Sequence, residues 1–203
     1  MTTRAIPPAL ADKLTAASAE LASAFDDVRM DDIAKASGVP RATLYYYFAG
    51  KDDVLAFLLR SMLDDLRVSV VTALELDGDT CDLLERVVRA QLGHLAANPA
   101  TSQLLIMNLG KAGRLGVIAA GVDAAFHAPV RRILTDGVAR GTLADLDVEV
   151  AATALYGAVT IVGLQALLVG GRIDVDELSD SLFRIFWSGI ARPGPTPTRR
   201  KKP

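Results

Sequence analysis

The sequence predicts an all-α protein, and three observations carry that expectation. Apolar residues recur three and four apart in almost every segment, strict apolar/polar alternation is sustained nowhere, and Gly, Pro, Asp and Asn punctuate the periodic segments where helices begin and end. The expected organisation is a small N-terminal helical domain (residues 1–50) and a larger helical domain (residues 51–191). A disordered basic tail (residues 192–203) follows, and a connecting fourth helix spans about residues 51–75.

Leu10, Leu14, Ala17, Leu21, Ala24 and Phe25 form one stripe, which predicts a first helix from about Pro8 to Phe25. A short second helix covers Met30 to Ser37 and stops at Gly38. A third starts at Pro40, whose missing N–H needs no partner in a first turn, and ends near Phe48. Gly50 punctuates, and Asp52 and Asp53 favour the N-terminus of the long fourth helix. Its buried side carries Val54, Leu55, Leu58, Met62, Leu66 and Val70. Asp77-Gly78-Asp79-Thr80 turns into a helix through Ala97, with Leu84, Val87, Val88, Gln91 and Leu95 on one face. Asn98-Pro99 opens a helix through Met107. Pro129 to Arg140 is helical up to Gly141. Asp147 caps an uncharged helix that ends at Gly170-Gly171, and Asp174 with Glu177 opens the last helix, through Ile190.

The chain has 203 residues, 51% hydrophobic and 23% charged, which suits a folded protein rather than a disordered one. Its net charge of −2 selects neither nucleic acid nor membrane by overall field. The tail holds Arg192, Arg199, Arg200, Lys201 and Lys202 without an acid, which leaves −7 on the rest. One cysteine, Cys81, forbids an intrachain disulfide. With no basic-then-apolar start, a cytoplasmic protein is expected.

Val150 to Gly171 is 22 residues without charge, enough to span a bilayer. Thr153, Tyr156, Thr160 and Gln165 make a helix covered by protein the better expectation, with no membrane partner. This helix is apolar all round, and the last one carries Leu182 and Phe186 on one face and Phe183, Trp187 and Ile190 on another. Cover on two sides implies a homodimer joined by a four-helix bundle. Leu155, Val159, Val162, Leu182, Phe186 and Ile190 are the expected interface.

The informative stretch runs from Met30 to Leu55. A short helix, a turn at Gly38 and a second short helix spell a helix-turn-helix, with Ile33, Ala34, Val39, Leu44 and Phe48 as its core. At 100° per residue, Ala42, Tyr45 and Tyr46 point away from Leu44 and Phe48, with Arg41 and Thr43 on the flanks. Such an outward face suits a DNA major groove: hydroxyls and phenols reach phosphates, and arginine reaches guanine edges or phosphate. Tyr45, Tyr46 and Tyr47 are consecutive, so at least two of them face outward and want a partner surface.

The string Asp32-Ile-Ala-Lys-Ala-Ser-Gly-Val, then Thr43-Leu-Tyr-Tyr-Tyr-Phe, then Lys51 with Val54-Leu55, resembles the N-terminal domain of the TetR (tetracycline-repressor-like) family of bacterial transcriptional regulators. The resemblance covers residues from about Leu10 to Leu59, a quarter of the chain. It implies an N-terminal three-helix helix-turn-helix domain and a C-terminal helical ligand-binding and dimerisation domain. It also implies double-stranded operator DNA as partner and a small-molecule effector. It places Arg41 and Ala42 at the base-facing start of the recognition helix, Thr43, Tyr45 and Tyr47 on phosphates, Tyr46 against the DNA backbone and thymine methyls, and Lys51 on a phosphate. The sequence departs from the family in two places. The loop from Ala24 to Val28 is about one residue short, and Arg29 stands where a threonine or serine usually caps the second helix. The domain is also not basic: seven cations and eight acids through Arg60 leave −1, so each subunit's salt dependence is shallow.

Gln91, His94, Met107, Asn108, Phe126, His127, Tyr156, Thr160 and Gln165 are candidate pocket residues, few enough in polar groups to suit a mostly apolar effector. Cys81 is expected to pack rather than to sense oxidants. No metal spacing, phosphate-binding glycine loop or nucleophile motif stands in the sequence, so neither an enzyme nor a cofactor is expected. The competing expectation is a helical adaptor or small-molecule-binding protein whose helix-turn-helix does not bind DNA.

Overall fold

The computed structural model describes residues 5–22, 28–102 and 116–192. Among these, the named helices are α1 (Pro8–Ala22), α2 (Met30–Ser37), α3 (Arg41–Tyr47), α4 (Lys51–Ala73), α5 (Thr80–Ala97), α6 (Gly116–Val122), α7 (Ala128–Ala139), α8 (Val148–Gly170) and α9 (Val175–Ile190). Helical backbone also resumes over residues 99–102, and a single π-helical turn, Asp123–His127, joins α6 to α7. The protein is thus all-α, a helix-turn-helix domain followed by a helical domain.

The helix borders follow local chemistry. Gly38 ends α2 at φ 63° and Gly171 ends α8 at φ 68°, the left-handed conformation that glycine adopts without strain. Asp79 and Asp82 cap α5 reciprocally, with N–H to carboxylate distances of 2.9 and 3.3 Å. Asp147 accepts from the Val150 N–H at 3.1 Å, and Asp174 from the Glu177 N–H at 3.2 Å. Arg29 does stand at the N-cap of α2, and the cap comes from the other side. The Asp32 carboxylate accepts the Arg29 backbone N–H at 2.8 Å. Pro40 caps α3 instead of opening it, its carbonyl accepting from Thr43 and Leu44. The end of the expected first helix and the loop from Ala24 fall on residues 23–27, outside the described residues, as does the tail from residue 193.

One apolar cluster runs through both domains. Leu14 and Leu21 of α1, Ile33 of α2 and Leu44 of α3 join Phe48, Leu55 and Leu58 in it, and the Phe48 and Phe57 rings lie 5.8 Å apart. In the larger domain α5 is central and packs against α4, α7, α8 and α9. At Gly163 of α8 a β-carbon would stand 2.8 Å from Leu95 Cδ1 and 3.3 Å from Leu92 Cδ2, so glycine permits the close α5–α8 approach. Arg86 donates to the Leu76 and Asp77 carbonyls at 2.6 and 2.9 Å and closes the α4–α5 turn. Arg89 ties α5 to α9 through Asp176 and Asp180. Arg131 ties the π turn to α8 through Asp123 at 2.8 Å and Glu149 at 3.3 Å.

Helix α8, uncharged beyond Glu149, is long and apolar enough to cross a bilayer by length and composition alone. It packs on α5, α7 and α9. Leu155 and Val159 turn into the protomer's own core and are fully buried, which corrects the expectation that they form a surface between subunits. A helix apolar on every side has no preferred inward face in its sequence, and here α5 and α7 select the side that carries these two residues. The apolar residues left exposed on α8 and α9 include Ile161, Leu168, Val169 and Ile185.

Candidate nucleic-acid interface and effector site

The helix-turn-helix buries one side of α3 and leaves the other open. Leu44 is fully buried and Phe48 nearly so, whereas Tyr45 and Tyr46 are 48% and 56% exposed. Arg41 and Ala42 are exposed beside them, and Thr43 is half-buried. Two consecutive phenols on the solvent side of a seven-residue helix form an amphipathic platform with hydroxyls at its rim. Tyr47 is the third phenol and differs from the other two. It is half-buried against the core cluster, with its ring edge-on to Tyr46 at 4.9 Å. Lys51 is the first residue of α4, so its charge adds to that helix's N-terminal dipole near the same end of the domain. The Arg41 guanidinium carbon lies 5.4 Å from the Tyr45 ring centre, and Nη1 meets the Asp31 carboxylate at 2.8 Å.

The expected pocket residues form two groups in the C-terminal domain. Gln91 of α5 donates through Nε2 to Thr160 Oγ1 of α8 at 2.8 Å, deep in the core. His94 stands one turn further along α5, also buried. Phe126, His127 and Tyr156 form the second group, an aromatic triangle with ring centres 5.2 to 6.2 Å apart. Met107 and Asn108 lie outside the described residues. Gln165 is exposed on α8 and is no part of either group, which corrects its expected place in a cavity.

Three buried polar atoms have no hydrogen-bond partner among the described residues: Gln91 Oε1, His94 Nε2 and His127 Nε2. Burial holds both histidines below the ordinary imidazole value of 6.5, against the opposing pull of Asp65 on His94 and of Asp123 on His127. His94 also donates to the Met62 backbone carbonyl. Because Nε2 is the unpartnered nitrogen, that bond uses Nδ1, and the neutral ring keeps Nε2 as an acceptor. Burial likewise raises the Tyr156 phenol, with the Thr160 hydroxyl opposing. Cys81 is pushed up to about 11 by burial and by Asp79, Glu85 and Asp82, so its thiol stays protonated and poorly reactive.

Sequence reasoning missed two clefts. One, of about 610 Å³, lies between α1, α4 and the end of α5, where the two domains meet, and includes Thr15, Ser18, Asp65 and Asn98. Inside this junction Ser18 Oγ and Thr101 Oγ1 are 3.2 Å apart and buried. The other, of about 250 Å³, lies between the end of α4, the start of α5 and α7, with Arg132, Asp136 and Arg140 in its lining. Neither cleft has a local signature, because each is assembled from residues far apart in the chain.

Comparison with known proteins agrees with this architecture. Residues 14–57 match the N-terminal domain profile of the bacterial regulatory proteins of the tetR family. An uncharacterized HTH-type transcriptional regulator of Mycobacterium tuberculosis (strain H37Rv) is 29% identical over 79% of this chain and 68% of its own length. The transcriptional regulator EthR of the same species is 37% identical over 27% of this chain and 25% of its own. Among solved structures, the fatty acid degradation regulator FadR from Bacillus halodurans superposes with a TM-score of 0.80 at 21% identity. It covers 92% of this chain and 98% of that one. FadR from Bacillus subtilis in complex with stearoyl-CoA gives 0.76 at 20% identity, over 89% and 97%. Residues 14–57 thus form a helix-turn-helix domain of the TetR family of bacterial transcriptional regulators, and the chain as a whole resembles these regulators in fold.

Proposed function

We propose that the protein is a cytoplasmic homodimeric repressor that binds a palindromic operator and leaves it when a small, mostly apolar effector enters the C-terminal domain. In this reading residues 1–50 contact DNA, residues 51–191 bind effector and partner subunit, and α4 connects the two. The observation that carries the reading is the one-sided burial of α3: Leu44 is sealed while Tyr45 and Tyr46 stand in solvent beside Arg41. A partnerless helix would not favour two adjacent exposed phenols, whereas a duplex offers phosphates and thymine methyls to them. Arg41 and Ala42 meet base edges, Thr43, Tyr45 and Lys51 meet phosphates, Tyr46 packs on the DNA backbone, and Tyr47, set deeper, adds a phosphate contact through its hydroxyl.

A two-fold dimer presents two such helices to half-sites about one helical turn apart, ~34–36 Å. The exposed apolar residues Ile161, Leu168 and Ile185 support a subunit interface on α8 and α9, with Val162, Leu182, Phe186 and Ile190 at its half-buried margin. The effector is supported by the buried acceptors Gln91 Oε1 and His94 Nε2. An apolar molecule with an O–H or N–H donor satisfies them and recovers about 1–3 kcal/mol for each group otherwise left unpaired. It releases DNA only by binding better to the protein conformation that does not fit the operator.

The test is a gel shift on DNA from around the protein's own gene. Wild-type protein shifts a fragment at low salt, and Tyr45→Ala and Lys51→Ala lose the shift while keeping their helicity by circular dichroism. Absence of any protein-dependent shift across genomic fragments rejects the reading in favour of the adaptor.

A further inference from the structure

We propose that Asp31 is a positioning residue for sequence readout, holding Arg41 so that it reads a guanine edge and not a phosphate. The inference rests on the DNA-binding reading above. Asp31 lies in the first turn of α2 and Arg41 opens α3, ten residues on and across the helix-turn-helix angle. Both carboxylate oxygens are close to the same guanidinium nitrogen, Nη1, at 2.8 and 3.0 Å. The guanidinium carbon lies over the Tyr45 ring, 5.4 Å from its centre. The arginine is therefore held by an acid and a ring at the start of α3.

Two physical consequences follow. Arginine reads guanine with a fork of two N–H donors aimed at O6 and N7. With Nη1 engaged by Asp31, the Nη2 and Nε edge keeps that fork, and its orientation is set before DNA arrives, which lowers the ordering cost of the contact. The charge balance matters as well. A free guanidinium binds any phosphate. Paired with a carboxylate it loses that attraction, because Asp31 repels phosphate oxygens, while the uncharged acceptors of a guanine edge still suit the remaining donors. An acid at a DNA-facing surface thus lowers general affinity and raises discrimination at one base pair per half-site. As a surface ion pair it contributes little to folding, since both side chains are about 60% exposed.

The experiment selects bound fragments from a random duplex pool with wild-type protein. It then measures full-length variants on the selected site and on sites substituted at each position. Wild type prefers guanine at one position per half-site by roughly 10-fold or more, the range of a bidentate contact. Arg41→Ala abolishes that preference. Asp31→Ala reduces it about threefold or more and strengthens binding to unrelated DNA, Asp31→Asn falls between, and Asp31→Ala in the Arg41→Ala background changes nothing at that position. Circular dichroism confirms the fold of each variant. An unchanged preference in Asp31→Ala and Asp31→Asn overturns the inference alone. So does a loss spread over all positions that persists in the Arg41→Ala background, since that marks a structural role. Wild-type protein that selects no sequence overturns the DNA-binding reading, and this inference with it.

Discussion

Gln91 and Thr160 join α5 to α8 by a buried hydrogen bond, 2.8 Å from Nε2 to Oγ1, and the other end of the Gln91 amide has no partner among the described residues. An amide half satisfied in an apolar core is costly, and a group is retained in such a position more readily when something else completes it.

The pair predicts a non-additive mutant cycle. Thr160→Val strands the whole amide and lowers unfolding free energy in urea by about 1–3 kcal/mol. Gln91→Leu removes the stranded groups and costs less, and the double variant recovers part of the Thr160→Val loss. Additive costs in the cycle would contradict the bond's buried geometry.

Acid should loosen the C-terminal domain at mildly acidic pH. His94 and His127 are held below 6.5 by burial, so protons bind the unfolded chain more readily than the folded one. The stability they contribute is complete above about pH 6.5 and is lost as pH falls below it. Melting temperature therefore drops as pH falls from about 6.5 to 5, and His94→Gln flattens the drop. A wild-type profile level across that window contradicts the buried, neutral imidazoles.

Leu44 holds α3 in place from its inner side and is fully buried. Leu44→Ala leaves a cavity in the small N-terminal core and costs ~2–5 kcal/mol in chemical denaturation. DNA binding falls with it, although no DNA-facing group has changed. Retained stability in this variant would place the centre of that core elsewhere.

Ile161 and Ile185 are 51% and 73% exposed on α8 and α9. On the proposed interface, Ile161→Asp or Ile185→Asp converts a dimer to a monomer in sedimentation or light scattering, with helicity unchanged. A sedimentation profile identical to wild type removes α8 and α9 from the interface.

Ser18 and Thr101 meet across the domain junction at 3.2 Å. Thr101→Val breaks this link and narrows the difference in operator affinity measured with and without effector, while free-state binding stays within a few-fold. An unchanged difference assigns the coupling to α4 alone.

By itself the sequence determined the helix-turn-helix and the helices other than α6 and its π turn. Capping acids at Asp79, Asp147 and Asp174, and stops at Gly38 and Gly171, act over a single turn and are legible where they stand. The outward face of α3 was equally legible, because Leu44 and Phe48 commit one side of a short helix to the core. Only the tertiary structure decided what has no local signal. The sequence of α8 is apolar on every side, so its neighbours chose to bury Leu155 and Val159 and to leave Ile161 and Leu168 outside. Helical spacing alone does not pair Gln91 with Thr160, Ser18 with Thr101 or Asp31 with Arg41, since each contact exists only where two separate elements cross.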